Sequence, residues 1–395
     1  MTLPLKPMDQ MFEAVVVGAG PAGIAVVGNF LEQKKSPILW VDDEFKAGRL
    51  NKHYREVPSN TKVKLFVDFA DALLPFREIA RDTPGPNAYT KLRSLPQTST
   101  CRIADAADLC QFLTNGLENF NGVEKLRGKV TSASWLSSDK WSIKVHSPSS
   151  GISETSGITA KILVLCTGSK PITEPLPFSN LQTISLDTAL KPSILPTVFS
   201  SDEKITVAVI GASHSAILVL RNLYHLACST HPNLQIKWFT RHPLRYAEER
   251  DGWILNDNTG LKGEVATWAR ENLEESQLVN SDVGKYLQKI ATSRASEKDD
   301  YQKHLPSCTH IVQAIGFQRN EVPTLERDGR RLDLTFNQDT QIFEDEDGQK
   351  ISGLYGAGIA WPERVTDPEG NVSSNVGMWK FMKFLKKAVP TWSEN

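Results

Sequence analysis

Three glycines decide what chemistry the N-terminal part of this chain can host. Gly18, Gly20 and Gly23 stand in Gly18-Ala19-Gly20-Pro21-Ala22-Gly23, directly after the apolar run Ala14-Val15-Val16-Val17. In a strand–turn–helix the first glycine permits a tight turn. The second lets bare backbone approach a pyrophosphate, and the third lets the helix pack closely on the strand. Pro21 and Ala22 then sit where unpaired N–H groups of a helix start favour phosphate oxygens. Asp42 and Asp43 close the apolar run Pro37–Val41, about 20 residues past the last glycine, where a carboxylate would hold a ribose hydroxyl. Strand, turn, helix, strand and acid occur in order, so Val15 to Asp42 reads as a dinucleotide-binding β-α-β unit.

A weaker copy follows. Gly211-Ala212-Ser213-His214-Ser215-Ala216 succeeds the apolar run Thr206–Ile210, with Ser213 in place of the second glycine and Ala216 in place of the third. His214 and Ser215 fall at the expected helix N-terminus, beside the phosphates of a second nucleotide. The matching second strand ends in Thr240-Arg241-His242, with Arg245 close behind and no carboxylate. Cations at that place suit a 2′-phosphate, which means NADPH rather than NADH.

These motifs need elements to position them. Residues 14–17 and 37–41 read as strands around a helix over 24–33. Residues 47–96 read as loop-rich and polar. A helix is expected over 104–119, with Ala107, Leu109, Cys110, Leu113 and Leu117 on one face. Alternating runs at 130–135, 141–146 and 158–164 predict an antiparallel meander that runs into Cys166-Thr167-Gly168. The Pro- and Ser-rich stretch 170–204 reads as a crossover. The second unit is expected as a strand to Ile210, a helix over 217–227 and a strand over 234–240. It continues with a mostly helical stretch, 241–306, and a strand over 311–316 ending at Gly316. Residues 351–360 give a last strand and glycine turn ending at Gly358-Ile359, and 378–389 a closing helix. The fold class is therefore α/β, with two Rossmann-like domains. The first carries the meander and is discontinuous, over 1–175 and 331–395; the second spans 176–330.

Bulk properties narrow the function. A chain of 395 residues suits two domains. Its formal net charge of −1 offers no basic field for nucleic acid or an anionic membrane. No apolar run approaches the ~18 residues of a membrane span. Met1 to Gln10 has no secretory pattern, which places the protein in the cytoplasm by default. The 5 cysteines are widely spaced without a Cys-x-x-Cys pair, so neither a dithiol centre nor a metal ligand set is expected.

Over nearly its whole length the chain resembles the flavin-containing monooxygenases and the related N-hydroxylating monooxygenases, within the pyridine nucleotide-disulfide oxidoreductase superfamily. The resemblance rests on the first glycine turn, Tyr54-Arg55-Glu56-Val57-Pro58-Ser59-Asn60-Thr61, Cys166-Thr167-Gly168-Ser169, the Gly211 turn, Ala314-Ile315-Gly316-Phe317, and Gly353 to Gly358. It implies FAD as the first dinucleotide, held also by Thr167, Gly168, Gly316, Gly358 and Ile359, and NADPH as the second. It implies that Asn60 lies beside the flavin ring as a catalytic residue. The reaction implied is transfer of one atom of molecular oxygen to a small-molecule substrate. His53, Tyr54 and Trp361 are candidates to line that substrate's pocket. So are the polar loops Glu248–Gly260 and Trp361–Asn375, because binding residues concentrate in loops. The family's aromatic-glycine-histidine signature is missing between Phe178 and Leu190, and the chain is shorter than usual. Two other readings therefore stay open: hydride transfer without oxygen insertion, and a non-catalytic flavoprotein acting as a redox-gated partner.

Overall fold

The structure is a computed structural model that describes residues 11–147, 155–178, 180–338 and 340–392. Two parallel-strand sheets organise it. The first opens with β1 (Met11–Val17), α1 (Pro21–Glu32) and β2 (Ile38–Asp42). It continues with β3 (Val123–Arg127), β4 (Lys129–Leu136), β5 (Lys140–His146) and β6 (Thr155–Leu165). β1 pairs in parallel with both β2 and β6, and the meander β4-β5-β6 is antiparallel. The apolar run in β1 is explained by burial on both faces. Ala14 and Val16 pack among the helices on one side, Phe12 and Val15 against the meander on the other.

The second sheet is all parallel. Its strands are β7 (Gln182–Thr183), β8 (Ile205–Ile210), β9 (Leu234–Thr240), β10 (Leu287–Ala291) and β11 (His310–Gln313), in spatial order β7-β11-β8-β9-β10. The chain re-enters the first sheet at β12 (Thr324–Arg327) on β4, a few residues ahead of 331, and later adds β13 (Leu354–Gly356) on β6. The two-unit α/β architecture expected from the sequence is what the chain forms.

Two expectations are corrected. Residues 47–96 are mostly helical: α2 (Gly48–His53), α3 (Val63–Asp71), α4 (Leu74–Asp82) and α5 (Ala88–Ser94), with α6 (Ile103–Leu117) following. Val63, Phe66, Val67, Ala70, Leu73, Phe76 and Ile79 recur at helical spacing and are buried. The intervening Lys, Asp and Arg residues hid that stripe. It packs where glycines leave room, Phe76 on Gly28 of α1 and Ile79 on Gly116 of α6. Residues 241–306 are less helical than expected. They hold a hairpin, Glu248–Arg250 with Trp253–Leu255, and the strand β10, beside α8 (Gly263–Asn272) and α9 (Glu297–His304). β10 is only five residues long and its buried Leu287 and Ile290 stand three apart, so it shows no two-residue alternation to read as a strand.

Register sets the site. Val17 pairs with Val41 and Leu165, and Leu165 with Gly356. The carboxyl ends of four strands therefore finish together. In the second sheet Ile210 pairs with Phe239 and Gln313, which aligns Gly211, Thr240 and Ala314 in the same way.

Candidate functional site

A cavity of about 650 Å³ opens at the carboxyl ends of β1, β2 and β6. Its walls include Gly18, Gly20, Pro21, Asp42, Asp43, Thr167, Gly168, Tyr54 and Ile359. The glycine roles read from sequence have direct geometric causes. A Cβ on Gly18 would lie 2.3 Å from the Cys166 carbonyl oxygen, and φ there is +107°. A Cβ on Gly23 would lie 1.9 Å from the Gly18 oxygen. Gly20 has nothing within 4 Å of that position, so its backbone faces open space. It precedes α1 in extended conformation with Pro21 as the first helical residue, which leaves the helix N–H groups facing the cavity.

The Asp42 carboxylate accepts from the backbone N–H of Ala19 at 2.7 Å, Glu44 at 2.9 Å and Phe45 at 2.6 Å. It therefore braces the glycine turn against the end of β2. Asp43 also lines the wall, and desolvation followed by the neighbouring Asp42 charge raises its pKa. Across the cavity the Thr167-Gly168 turn is locked by Asn320, whose Nδ2 donates to the Thr167 oxygen at 2.7 Å. Asn320 is a wall residue that sequence reasoning missed; no spacing rule links it to Thr167. Thr167 Oγ1 is buried without a partner. Gly358 presses on α1, since a Cβ there would meet Ala22 at 2.6 Å. The N-terminus of α10 (Met378–Ala388) closes another side through Gly377, Met378 and Phe381. Cys166 backs the wall, and burial raises its thiol pKa far above the usual range. All five cysteines are free.

The Gly211 turn repeats this construction. A Cβ on Gly211 would lie 2.3 Å from the Ala314 oxygen, with φ +131°. Trp238 Nε1 donates to the Gly211 oxygen at 2.7 Å, as Trp40 Nε1 donates to the Gly18 oxygen at 3.0 Å. A tryptophan two residues before the end of the second strand is thus a shared brace, legible in Leu39-Trp40-Val41 and Lys237-Trp238-Phe239. Thr240 takes the place of Asp42, and its Oγ1 donates to the His242 oxygen at 2.8 Å. Ser213 stands at the N-cap position of α7 (His214–Ser229) without a side-chain capping hydrogen bond, and His214 and Ser215 lie in its first turn. His214 Nδ1 is buried without a partner. Burial, then Arg221 and Lys262, push its pKa down to about 4. Arg241 is exposed, 3.8 Å from Glu297 on α9. Arg245 is exposed beyond it, its carbonyl accepting from Leu261 N–H. Gly316, φ +120°, accepts from Ile172 N–H where Phe317–Arg319 crosses Ser169–Pro171. Gly211, Ser213, His214, Ser215, Arg241, Arg245 and Gly316 do not line the 650 Å³ cavity.

The remaining candidates disperse. Asn60 lies on the strand Pro58–Lys62, exposed, its Oδ1 accepting from Thr61 Oγ1 at 3.2 Å; it is not in the cavity wall. Trp361 is buried among Phe336 and Phe343, with the Arg319 guanidinium 4.2 Å from its ring, away from the cavity. Tyr54 does reach the wall, and burial pushes its pKa up to about 12. Its hydroxyl meets Arg49, and Arg49 Nη2 holds both Asp187 oxygens at 2.5 and 2.6 Å. His53 Nδ1 lies 3.5 Å from Asp187, and desolvation lowers its pKa. The two polar loops meet: Asn258 Nδ2 donates to Ser373 Oγ at 2.9 Å.

The model of the pyridine nucleotide-disulphide oxidoreductases matches residues 12–365 of this chain. Monooxygenase AgnR1 of Paecilomyces divaricatus is 50% identical over 387 residues, 97% of this chain and 98% of its own. A bacillithiol disulfide reductase from Staphylococcus aureus shares the fold, with a TM-score of 0.56, 11% identity and 98% of each chain covered. A polycyclic ketone monooxygenase from the thermophilic fungus Thermothelomyces thermophila aligns over 62% of this chain and 37% of its own, at 16% identity and a TM-score of 0.43.

Proposed function

The chain belongs to the pyridine nucleotide-disulphide oxidoreductase family, and from that premise we propose that this flavoprotein oxidoreductase is an FAD-dependent, NADPH-reduced monooxygenase acting on a small molecule. The observation that carries the oxygen-transfer part is the 50% identity to a monooxygenase along 97% of the chain. The cavity fits FAD on its own terms. Its glycine turn offers bare backbone at Gly20, two helix N-termini face inward, Thr167 Oγ1 waits for a partner, and Leu50, Met378 and Phe381 supply apolar wall. A dinucleotide needs that mixture of phosphate-binding donors and apolar surface.

In this reading Gly18, Gly20, Pro21, Ala22 and Gly23 hold the pyrophosphate, Asp42 and Asp43 the ribose side, and Thr167, Gly168, Gly358 and Ile359 the rest of the cofactor. When bound, FAD supplies the redox and oxygen-transfer chemistry. The Gly211 turn, with Ser213, His214 and Ser215, receives the NADPH phosphates. Neutral His214 adds no charge of its own there, so the helix N-terminus and the rim cations Arg241 and Arg245 select the anion. Tyr54 and Arg49 exclude water from one wall, and Ile359 and Phe381 present apolar surface to a substrate.

The test is anaerobic reduction of the FAD-loaded protein by NADPH or NADH, followed by mixing with aerated buffer while flavin absorbance is recorded. NADPH should reduce it faster, and the oxidised spectrum should return only after a lag of seconds behind oxygen uptake. Immediate return would favour hydride transfer without oxygen insertion. No reduction by either nucleotide would favour a non-catalytic role.

A further inference from the structure

Two chemically different sets stand out among the contacts between the two dinucleotide-binding units, beside the packing of α8 on the strand Pro58–Lys62. One set is apolar and ionic together. Tyr54 and Val57 of the first unit pack on the core of the second, alongside Arg49–Asp187 and Glu56, which accepts from Ser193 N–H at 2.9 Å and Ser193 Oγ at 2.5 Å. The other set is polar. Lys380 of α10 donates to Asp257 Oδ2 and to Asn258 Oδ1, each at 2.5 Å. Asn258 donates to Ser373, and the exposed Lys62 pairs with Glu249 at 2.9 Å. Lys380 stands between Met378 and Phe381, both in the cavity wall. Its partners lie on the loop that leads from the Glu248–Leu255 hairpin into α8 of the second unit.

We propose that Lys380 is a positioning residue: it latches the second unit, and with it the Gly211 turn, over the mouth of the cavity, while the Tyr54–Val57 contact serves as the hinge. This rests on the proposed pairing of an FAD site with an NADPH site, and it adds how the two are brought into register. Three features fit a reversible latch better than a permanent weld. First, Asp257 also accepts from Lys262 of its own unit, so opening leaves its carboxylate paired and avoids the large cost of an orphaned charge. Second, burial lowers the Lys380 pKa even though Asp257 raises it again, so the ammonium gains hydration when the cleft opens. Its side chain is only 19% exposed in the closed arrangement. Third, the Lys62–Glu249 pair beside it is exposed on both partners and contributes little, so the polar set as a whole leans on the single Lys380 contact. The Arg49–Asp187 pair, by contrast, is backed by the apolar packing of Tyr54 and Val57.

The experiment uses the FAD-loaded full chain and three proteins: wild type, Lys380→Met and Lys380→Arg. Small-angle scattering reports how far the units separate, and anaerobic stopped-flow with saturating NADPH reports the limiting rate of flavin reduction. Lys380→Met should enlarge the radius of gyration and lower the limiting rate at least tenfold. FAD content should be retained and the NADPH Kd should stay within threefold. Lys380→Arg should recover both scattering and rate, because it keeps the charge that Asp257 grips. A Lys380→Met protein with wild-type scattering overturns the latch. So does a rate loss that Lys380→Arg fails to recover, or one seen only as weaker NADPH binding. A wild type that NADPH does not reduce would sink the proposed function, while the scattering comparison would still decide the latch.

Discussion

Substituting the second and third glycines of the first turn should separate folding from cofactor binding. In Gly23→Ala the new Cβ would start 1.9 Å from the Gly18 oxygen, where real contacts stay beyond 3.0 Å. α1 must therefore back away from the turn by at least about 1 Å at that point. Overpacking of this kind costs about 1–3 kcal/mol. The same shift weakens the Trp40–Gly18 hydrogen bond, worth about 1 kcal/mol more. A loss of about 2–4 kcal/mol lowers the Tm of a domain of ~150–250 residues by roughly 4–16 °C. Gly20→Ala is the opposite case. Its φ of −76° suits alanine and no atom lies within 4 Å of the new methyl. The flavin-free protein should keep its Tm, the usual result for a substitution that meets nothing. The methyl would instead stand where a pyrophosphate must approach. If it costs the complex about 1–3 kcal/mol, FAD affinity falls by roughly 5- to 150-fold. Thermal unfolding of the flavin-free proteins and fluorescence titration with FAD read both quantities. Wild-type FAD affinity in Gly20→Ala, or a wild-type Tm in Gly23→Ala, would refute the assignment of cradle and packing roles.

Other outcomes follow from the second turn. Arg241→Ser with Arg245→Ser should weaken NADPH by about 2–4 kcal/mol at most, roughly 30- to 1,000-fold, while NADH affinity stays constant; titration of both nucleotides checks this, and equal losses would remove the 2′-phosphate assignment. His214, with its pKa held near 4 against 6.5 when unfolded, binds fewer protons folded than unfolded between those values. Stability is therefore lost as pH falls from about 6.5 toward 4, by up to about 3 kcal/mol. His214→Gln should flatten that part of the stability-against-pH curve measured by denaturant unfolding, and an unchanged curve would show that His214 is not the group responsible. Tyr54→Phe keeps the ring on the second core but removes the hydroxyl that meets Arg49 and Asp187. It should cost about 1 kcal/mol in thermal unfolding, and a loss above 3 kcal/mol would mean the hydroxyl does more than these contacts show.

Much of this protein is local, and the local part was legible in the sequence. Gly23 is needed by the Gly18 oxygen one turn away, and the apolar runs of β1 and β8 are dictated by burial on both faces of a parallel sheet. Type and spacing carry those signals; Gly18 and Gly211 were legible as members of the same spaced motif, although the oxygens they make room for, on Cys166 and Ala314, come from distant strands. The helices α3 and α4 were hidden because Lys, Asp and Arg interrupt a stripe that packs on α1 and α6. Tertiary structure alone decided the rest. Asn320 reaches Thr167 from 153 residues away, Arg49 meets Asp187 across the units, and Lys380 of α10 meets Asp257 on a loop 123 residues away. Asn60 and Trp361 showed the converse. Each sat in a promising stretch, yet one is exposed on a strand and the other sealed in a core. A sequence records which groups could do chemistry; which of them share a wall depends on strand register and on the packing of one unit against the other.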